Sequence, residues 1–415
     1  MNRIYRLVWS KSRRCIVAVS ELAKGRSKDG GKSKTIGSIL ASTILALGGI
    51  AGLASIPIEI ASATDIVVNS QSSNLVLNNG DSLQVQSSGT VTGISATGTL
   101  SGTPPVTAQS GAAANYINNA GLILGTSGNA AIGIANARVT GGITNSGSIS
   151  SGVNNSNTIY VIGQGIKLFN TDLLGGITNT GSIYGRNVSI LISSSSLGGG
   201  INNTGTLNAG ASNIGLFGVA GIGFNQSSLF GGITNSGLIT TRADGIYLTK
   251  SFLDGGINNS GTILNVNNGI GIDLSTLSGG IQNTGVIKNG VGGIAINLSE
   301  ISGGINNTNT IYAQNQAINI GSSHVMDGIT NSGLIRAGAY GGIYMSRSIL
   351  DGGITNTGSI QGFTSGIILR RSVLNGGIYN SGTIAGGSAV GLFETSLTDG
   401  IINSGKLVGS SAGIW

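Results

Sequence analysis

This chain of 415 residues contains one cysteine, one histidine, three prolines and only 8% charged residues. Its single cysteine, Cys15, lies near the N-terminus, so the rest of the chain can form no disulfide. Its single histidine, His324, excludes a His-based metal cluster and a His-dependent catalytic triad. Low charge with few aromatic residues can indicate disorder, but disordered chains also lack aliphatic residues, in which this chain is rich. We therefore expect an ordered fold.

The net charge of +7 is confined to the N-terminal segment. Residues 1–63 hold ten of the 21 Lys and Arg residues and three of the 14 acids, which leaves eleven residues of each sign in residues 64–415. The repeats therefore lack the basic surface that nucleic-acid binding requires, and we expect no nucleic-acid partner.

Residues 29–63 have the n-, h- and c-regions of a secretory signal peptide. Basic residues precede an uncharged, mostly apolar run at residues 35–58, and the small residues Ala61, Ser62 and Ala63 follow it. This order predicts export and cleavage after Ala63. An uncleaved anchor is the alternative, because the run is long enough to span a bilayer. Its four glycines and the small-residue site favour cleavage, which leaves no stable transmembrane segment in the mature chain.

Residues 1–28 extend this signal peptide. The chain opens MNRIYRLVWS, has a basic cluster at residues 11–14 and continues with VAVSELAK at residues 17–24. This segment closely resembles the extended signal peptide region of Gram-negative type V secretion proteins, which carries a V-x-x-S-E-L-[AS]-[KR] block. The resemblance covers residues 1–63. It implies export to the periplasm, with the Sec machinery as a partner, for passengers destined for the outer membrane or beyond.

One module recurs through most of the remaining chain. It combines a double glycine, Ile-x-Asn-x-Gly-x-Ile and a later Gly-Ile pair, and residues 255–263, GGINNSGTI, begin one copy. Its asparagine returns about every 24 residues, a period that marks a solenoid whose units bury their apolar faces against their neighbours. The recurring residues are Asn179, Asn203, Asn235, Asn259, Asn283, Asn307, Asn331, Asn356, Asn380 and Asn403.

Apolar residues mark three short segments in each unit, as at Ile257, at Ile246 with Leu248, and at Leu253. Such alternation is typical of strands, and no stretch keeps the 3.6-residue period of a helix. We predict an all-β fold, a right-handed parallel β-helix (solenoid) of about 24-residue coils with three strands and three corners each. Its predicted core includes Ile177, Ile233, Ile257, Ile281, Ile305, Ile329, Ile354 and Ile378.

The asparagines are the most informative polar feature of the repeats. We interpret Asn-Ser-Gly as a corner whose Asn faces inward and passes hydrogen bonds from coil to coil, because a buried amide needs partners. A row of sugar-binding asparagines is the alternative.

The chain divides into a leader and two parts of the mature protein. Residues 64–114 follow a looser pattern, and we expect an N-terminal cap or irregular first coils there. Residues 115–415 form the β-helix repeats, with an extra loop near residues 208–222. The chain ends inside the second strand of a coil, which we interpret as a fragment or a truncated reading frame.

No set of residues in the repeats has the pattern of a catalytic, cofactor or metal site. Asp254 and Asp351 occupy one slot before a double glycine and indicate a polar corner. Calcium-binding G-G-x-G-x-D repeats are missing, so we do not expect these residues to bind calcium. Asp244, Asp273 and Glu300 fall in different parts of the unit, so they do not build a paired-carboxylate site. We expect no enzyme activity, no cofactor and no metal.

Residues 115–415 also resemble the β-strand-repeat passenger domains of autotransporter adhesins. This resemblance implies an outward-projecting rod that contacts host or bacterial surface ligands, although the C-terminal membrane barrel of that family is missing. We expect an exported, non-enzymatic surface or secreted passenger, an adhesin or cell-contact fragment. It would reach the cell surface or medium if a transporter is supplied, and the periplasm otherwise. The alternatives are a two-partner-secretion exoprotein, a polysaccharide-degrading β-helix enzyme and a non-functional remnant of a truncated gene.

The small-x-small site predicts where the exported chain begins. We expect the N-terminal sequence of the exported protein to start at Thr64. Ala63→Phe should block processing, because the residue before the cut must be small, whereas Ser62→Phe should be processed normally. N-terminal sequencing of the periplasmic protein measures both variants, and equal processing of the two would contradict the assignment.

Overall fold

The computed structural model describes residues 5–10, 15–20, 63–92, 106–125, 130–151, 163–210 and 220–415. They belong to two units, one within residues 1–58 and one within residues 59–415. The described part of the first unit is an antiparallel pair of strands, Tyr5–Ser10 and Cys15–Ser20. The apolar run at residues 35–58 lies outside the described residues, as do Ala61 and Ser62, and Ala63 is exposed.

Each full coil of the second unit contains four short parallel strands. In one coil these are Ile257–Asn259, Thr262–Asn265, Asn268–Asp273 and Thr276–Leu277. Each strand pairs in parallel with its equivalent in the next coil, so the predicted all-β parallel solenoid is confirmed. The prediction of three strands is wrong, because the alternation at residues 257–263 is broken by a corner at residues 260–261.

The strands form three long sheets. Sheet A takes the strand that ends in the recurring asparagine, together with its equivalents in the first coils. Its strands are Asp65–Val68, Ser82–Val85, Ile117–Asn119, Ile143–Asn145, Ile177–Asn179, Ile201–Asn203, Ile233–Asn235, Ile257–Asn259, Ile281–Asn283, Ile305–Asn307, Ile329–Asn331, Ile354–Asn356, Ile378–Asn380 and Ile401–Asn403.

Sheet B contains the next two strands of each coil. They form one sheet because Thr383–Phe393 runs unbroken through both strand positions. Its strands are Gln71–Ser73, Leu75–Leu77, Thr90–Thr92, Val106–Ala108, Leu122–Leu124, Ile132–Ala135, Ser148–Ser150, Gln164–Phe169, Ser182–Gly185, Val188–Ser193, Thr206–Ala209, Ala220–Asn225, Leu238–Thr241, Asp244–Thr249, Thr262–Asn265, Asn268–Asp273, Val286–Asn289, Gly292–Asn297, Thr310–Ala313, Gln316–Gly321, Leu334–Ala337, Gly341–Ser346, Ser359–Gln361, Ser365–Arg370, Thr383–Phe393 and Lys406–Ile414.

Sheet C closes each coil with a short strand before the glycine corner. Its strands are Ala113–Ala114, Arg138–Val139, Asp172–Leu173, Ser196–Leu197, Ser228–Leu229, Phe252–Leu253, Thr276–Leu277, Glu300–Ile301, His324–Val325, Ile349–Asp351, Val373–Asn375 and Ser396–Leu397. Among the residues that the structure describes, no helix is long and apolar enough to cross a membrane.

The core runs along the axis between these sheets. The isoleucines named as core from the sequence all open sheet A strands and are at most 2% exposed, and each coil adds residues such as Ile263, Ile272 and Leu277. Fully burying one such side chain stabilises the fold by about 1.5–3 kcal/mol. Because each coil covers its neighbours, this stabilisation accumulates along the rod.

The two irregular parts of the sequence leave sheet A in register. Asp65–Val68 pairs with Ser82–Val85, which pairs with Ile117–Asn119, so the described residues of segment 64–114 contribute the first coils. Of the segment 208–222, where a loop is expected, residues 211–219 lie outside the described part. Its flanking strands, Thr206–Ala209 and Ala220–Asn225, keep their pairing with the next coil.

Glycine is required where sheet C turns into sheet A. Gly280 has a φ of +67°, and a Cβ built on it would lie 2.2 Å from the carbonyl oxygen of Gly303 in the next coil. Gly256 has a φ of +74° and meets the next coil in the same way. Successive coils therefore approach backbone to backbone at this corner, and any side chain would push them apart.

This contact predicts a position-dependent cost of adding a methyl group. Gly280→Ala should lower the free energy of unfolding by more than about 2 kcal/mol, because the Cβ clashes with a backbone oxygen. Gly400 has nearly the same φ, +69°, but an added Cβ would meet nothing within 4 Å. Gly400→Ala should therefore cost only about 1 kcal/mol, from the backbone conformation alone. Chemical denaturation of both variants measures the difference, and equal losses would contradict the proposed close approach.

Candidate functional site

A column of buried asparagines runs along one corner of the solenoid. Each side-chain Nδ2 donates to the Oδ1 of the asparagine in the next coil, for example from Asn235 to Asn259 and from Asn259 to Asn283, both at 2.8 Å. These side chains are nearly inaccessible to solvent, with Asn235 at 0% and Asn259 at 1% exposure. The sugar-binding alternative is therefore wrong for the buried members, Asn119 to Asn380, because no ligand can reach their amides, whereas Asn403 at the end of the row is exposed.

The same asparagines also satisfy the backbone at their corner. Nδ2 of Asn259 donates a second hydrogen bond to the carbonyl of Gly261 at 3.3 Å. The backbone oxygen of Asn235 accepts from the amides of both Ser260 and Gly261 in the next coil, at 2.8 and 2.9 Å. Backbone and side-chain groups of this tight turn thus find partners without water, which explains how a polar corner tolerates burial.

Every recurring asparagine identified from the sequence lies in this column, which we call the asparagine ladder, and the structure adds two more. Asn119 donates to Asn145 at 2.7 Å, and Asn145 donates to Asn179 at 2.7 Å. Sequence reasoning missed both, because the 34-residue step from Asn145 to Asn179 hides the period. The column begins at Asn119, whose Oδ1 has no protein partner within the described residues, since Val85 occupies the equivalent position one coil earlier.

A second buried polar column, of serines, escaped the sequence analysis. The amide of Ser251 donates to Oγ of Ser275 in the next coil at 3.0 Å, and Oγ of Ser251 donates back to the carbonyl of Thr249 at 2.8 Å. The residue before each serine, such as Lys250 or Leu274, has a φ near +50° and points outward. A recurring x-Ser-x-Leu pattern was the available signal. The column comprises Thr171, Ser195, Ser227, Ser251, Ser275, Ser299, Ser323, Ser348 and Ser372.

The carboxylates singled out from the sequence do not come together. Asp244 is buried on sheet B, where its Oδ1 accepts from Nδ2 of Asn267 and the amide of Asn268, both at 2.9 Å. Burial raises the pKa of Asp244, although these two donors act in the opposite direction. Asp273 is half-buried at the far end of the neighbouring strand, and Glu300 is exposed on sheet C. The three acids lie at different strand positions.

His324 is paired, in contrast to its isolation in the sequence. Its Nε2 lies 2.6 Å from Oδ2 of Asp351 in the next coil, and Nδ2 of Asn375 donates to Oδ1 of the same carboxylate at 2.7 Å. Hydrogen bonds from Asn375 and then His324 lower the pKa of Asp351. Asp254 likewise accepts from Ser278 one coil on, at 2.6 Å. The slot before the glycines is therefore a polar column that links coils.

An open groove of about 500 Å³ follows the outer edge of the serine column. Its walls include the exposed leucines Leu274 and Leu298. Three ionisable side chains, those of Glu300, His324 and Arg347, line it as well. Within the described residues there is no group of three or more His, Cys, Asp or Glu side chains placed to hold a metal ion.

The fold and its polar columns define a class, the parallel β-solenoids whose coils are joined by buried amide and hydroxyl ladders. Residues 1–50 match the family described as Extended Signal Peptide of Type V secretion system, which confirms the resemblance of the leader. The chain thus carries a type V secretion signal before a passenger-like β-solenoid, and this signal supports Sec-type export across the inner membrane. Neither curated proteins nor solved structures give a match to the chain.

The asparagine ladder predicts a large difference between two adjacent residues. Asn259→Ala should lower the free energy of unfolding by about 3 kcal/mol, because it leaves one N–H of Nδ2 of Asn235 and the Oδ1 of Asn283 buried without partners. Asn258→Ala, one residue earlier on the exposed side, should change it by less than about 0.5 kcal/mol. Urea unfolding followed by circular dichroism measures both, and an unchanged midpoint for Asn259→Ala would contradict a structural role.

Proposed function

We propose that this chain is a non-enzymatic passenger of type V secretion that makes contacts at cell surfaces, as an adhesin or cell-contact fragment. The observation that carries the proposal is the order of the two parts: a type V secretion signal at residues 1–50 is followed by a rod of stacked coils. An exported rod suits a protein that must present a long surface outside the inner membrane, because every coil adds outward-facing side chains at a constant spacing.

The arrangement of polar groups supports a binding role over catalysis. In the described region, Asp244 is held by Asn267 and Asn268, and Asp351 by Asn375 and His324. Their carboxylates are thus engaged in linking coils. A glycosidase needs two carboxyl groups on either side of a bond, about 5–9 Å apart and free to exchange protons. The residues with positive φ lie at corners that repeat in coil after coil. Their strained backbone conformation therefore serves the stacking of the coils.

The destination is also part of the proposal. We place the mature chain at the cell surface or in the medium when a type V transporter is supplied, and in the periplasm otherwise. This proposal requires no charged side chain for binding to a membrane, because the solenoid itself is the exported part of the protein.

Export and contact can be tested in one Gram-negative expression host. The full chain should appear in the periplasm or beyond, whereas a variant that lacks residues 1–63 should stay in the cytoplasm. The exported chain, once purified and fluorescently labelled, should bind bacterial or epithelial cells saturably. It should release no reducing ends from pectin or glycosaminoglycans.

Three outcomes would contradict the proposal. Cytoplasmic retention of the full chain would remove the export step. An exported, folded chain that binds no cell surface would remove the contact role. Release of reducing ends that disappears when Asp244 is changed to Asn would identify an enzyme instead.

A further inference from the structure

The outward side of sheet A differs from the rest of the surface in its chemistry. The middle residue of each strand points away from the core and stacks in register with its neighbours, as Gln282, Asn306 and Thr330 do. We call this column the outer row. Its members are Asn118, Thr144, Thr178, Asn202, Thr234, Asn258, Gln282, Asn306, Thr330, Thr355, Tyr379 and Ile402.

A second column runs beside the outer row, in the corner that follows each strand and two residues further along the chain. We call it the corner row. It contains small, mostly hydroxyl-bearing residues, all of them exposed: Ala120, Ser146, Thr180, Thr204, Ser236, Ser260, Thr284, Thr308, Ser332, Thr357, Ser381 and Ser404. Equivalent residues in each row recur about every 4.8 Å along the axis. The result is a two-column grid of amides and hydroxyls.

Neither row contains a charged residue. The charged side chains lie elsewhere, for example at Lys288 and Arg336 on sheet B and at Arg138 and Asp172 on sheet C. Surfaces of soluble proteins normally intersperse both signs of charge, whereas this face is neutral along its length. Such a face offers nothing to an ionic ligand, because charge complementarity is what recognises nucleic acid or an acidic polymer.

The side chains of the outer row are free to bind. Among the described residues, the side chains of Asn258, Gln282, Asn306 and Thr330 form no hydrogen bond within the protein, in contrast to the adjacent buried ladder. Their strands are fixed by the core, so a ligand must order only the side-chain rotamers and not the backbone. Tyr379 extends the same row and is 37% exposed, and such a ring can pack against the apolar face of a sugar.

We propose that the outer row and the corner row together bind a neutral, extended polysaccharide that lies along the rod axis. Its hydroxyl groups exchange hydrogen bonds with the amides and hydroxyls of successive coils, and one of its rings stacks on Tyr379. Each coil contributes a weak contact, and the contacts add because one polymer engages many coils. The inference rests on the proposed contact function and names the class of ligand for it.

A second copy of the chain fits this face less well. Protein interfaces have an apolar core rich in aromatic residues, and from Asn118 to Thr355 the two rows offer amides, hydroxyls and one alanine. Sugars, by contrast, carry a hydroxyl on most carbons and remain solvated at their outer edge, so water-mediated contacts are retained.

The test uses the full exported chain and three neutral probes, cellohexaose, chitohexaose and maltohexaose, titrated by calorimetry. At least one probe should bind, and the corresponding disaccharide should bind more weakly. The triple variant Gln282→Ala, Asn306→Ala, Thr330→Ala should weaken binding by about tenfold or more, and Tyr379→Ala should weaken it as well.

The control is a triple variant in the same three coils, Lys288→Ala, Tyr312→Ala, Arg336→Ala, which alters the equivalent outward column of sheet B. It should bind as the unaltered chain does. All variants should keep the parent circular dichroism spectrum and unfolding midpoint, because the replaced side chains lie outside the core.

Four results would overturn the inference. They are the absence of binding to all three neutral probes, tighter binding of heparin fragments than of neutral probes, equal losses in both triple variants, and self-association in sedimentation that only the sheet A variant abolishes. If the unaltered chain binds cells and the sheet A variant binds them equally well, the contact function stands and this inference fails. If the probes bind but no cell does, the contact function fails and the inference stands.

Discussion

Hydrogen bonding between coils at one fixed spacing is the constraint on which the rest of this structure depends. A strand such as Ile257–Asn259 has its partners in the coils before and after it and none within its own coil. A single coil would therefore leave its backbone groups to water, and ordering it would cost about 1–2 kcal/mol per residue in backbone entropy. Repetition offsets this cost, since each added coil completes the hydrogen bonding of its neighbour and buries its isoleucines.

The same spacing decides which residues fit each corner. Where backbones meet, at Gly280 and Gly303, there is no room for a Cβ. Where a side chain turns inward, as at Asn259 and Ser251, it bonds to the equivalent residue of a neighbouring coil and to a backbone carbonyl of its own coil. Repetition of the same residue thus supplies partners for these buried polar groups. Asn119 illustrates the limit of this rule, since its Oδ1 loses its partner where the preceding coil has Val85.

Much of this architecture could be predicted from the sequence, because a strict period makes local and tertiary information coincide. The period of the asparagines identified the solenoid, and the alternation at Ile257 identified the inward face. Other features depended on geometry that spacing alone does not give. The corner at residues 260–261 was predicted from Asn-Ser-Gly, but the number of strands was not, because Gly261 and Ile263 keep the alternation across that corner. The serine column was hard to recognise because the residue before each serine, such as Lys250 or Leu274, varies in type although its backbone conformation is the same.

The candidate site was harder to predict than the fold for the same reason. The period of the sequence separates Asn259, whose position is Asn in successive units, from Asn258, whose position varies, but only the structure shows that the varying position is exposed on sheet A. His324 is the single histidine of the sequence. It contacts Asp351 because the 27-residue separation between them places Asp351 beside it in the next coil. What the coils present outward depends on which residue of each pair faces the core.

The account is tested most directly by hydrogen exchange at the amides of the Asn-x-Gly corners in the folded chain. The amides of Ser260 and Gly261 both donate to the carbonyl oxygen of Asn235, so they should exchange nearly as slowly as the buried amide of Ile257, although Ser260 is exposed. If Ser260 and Gly261 exchange at the rate of an unstructured peptide while Ile257 stays protected, the coils are not joined at this corner and the account is wrong.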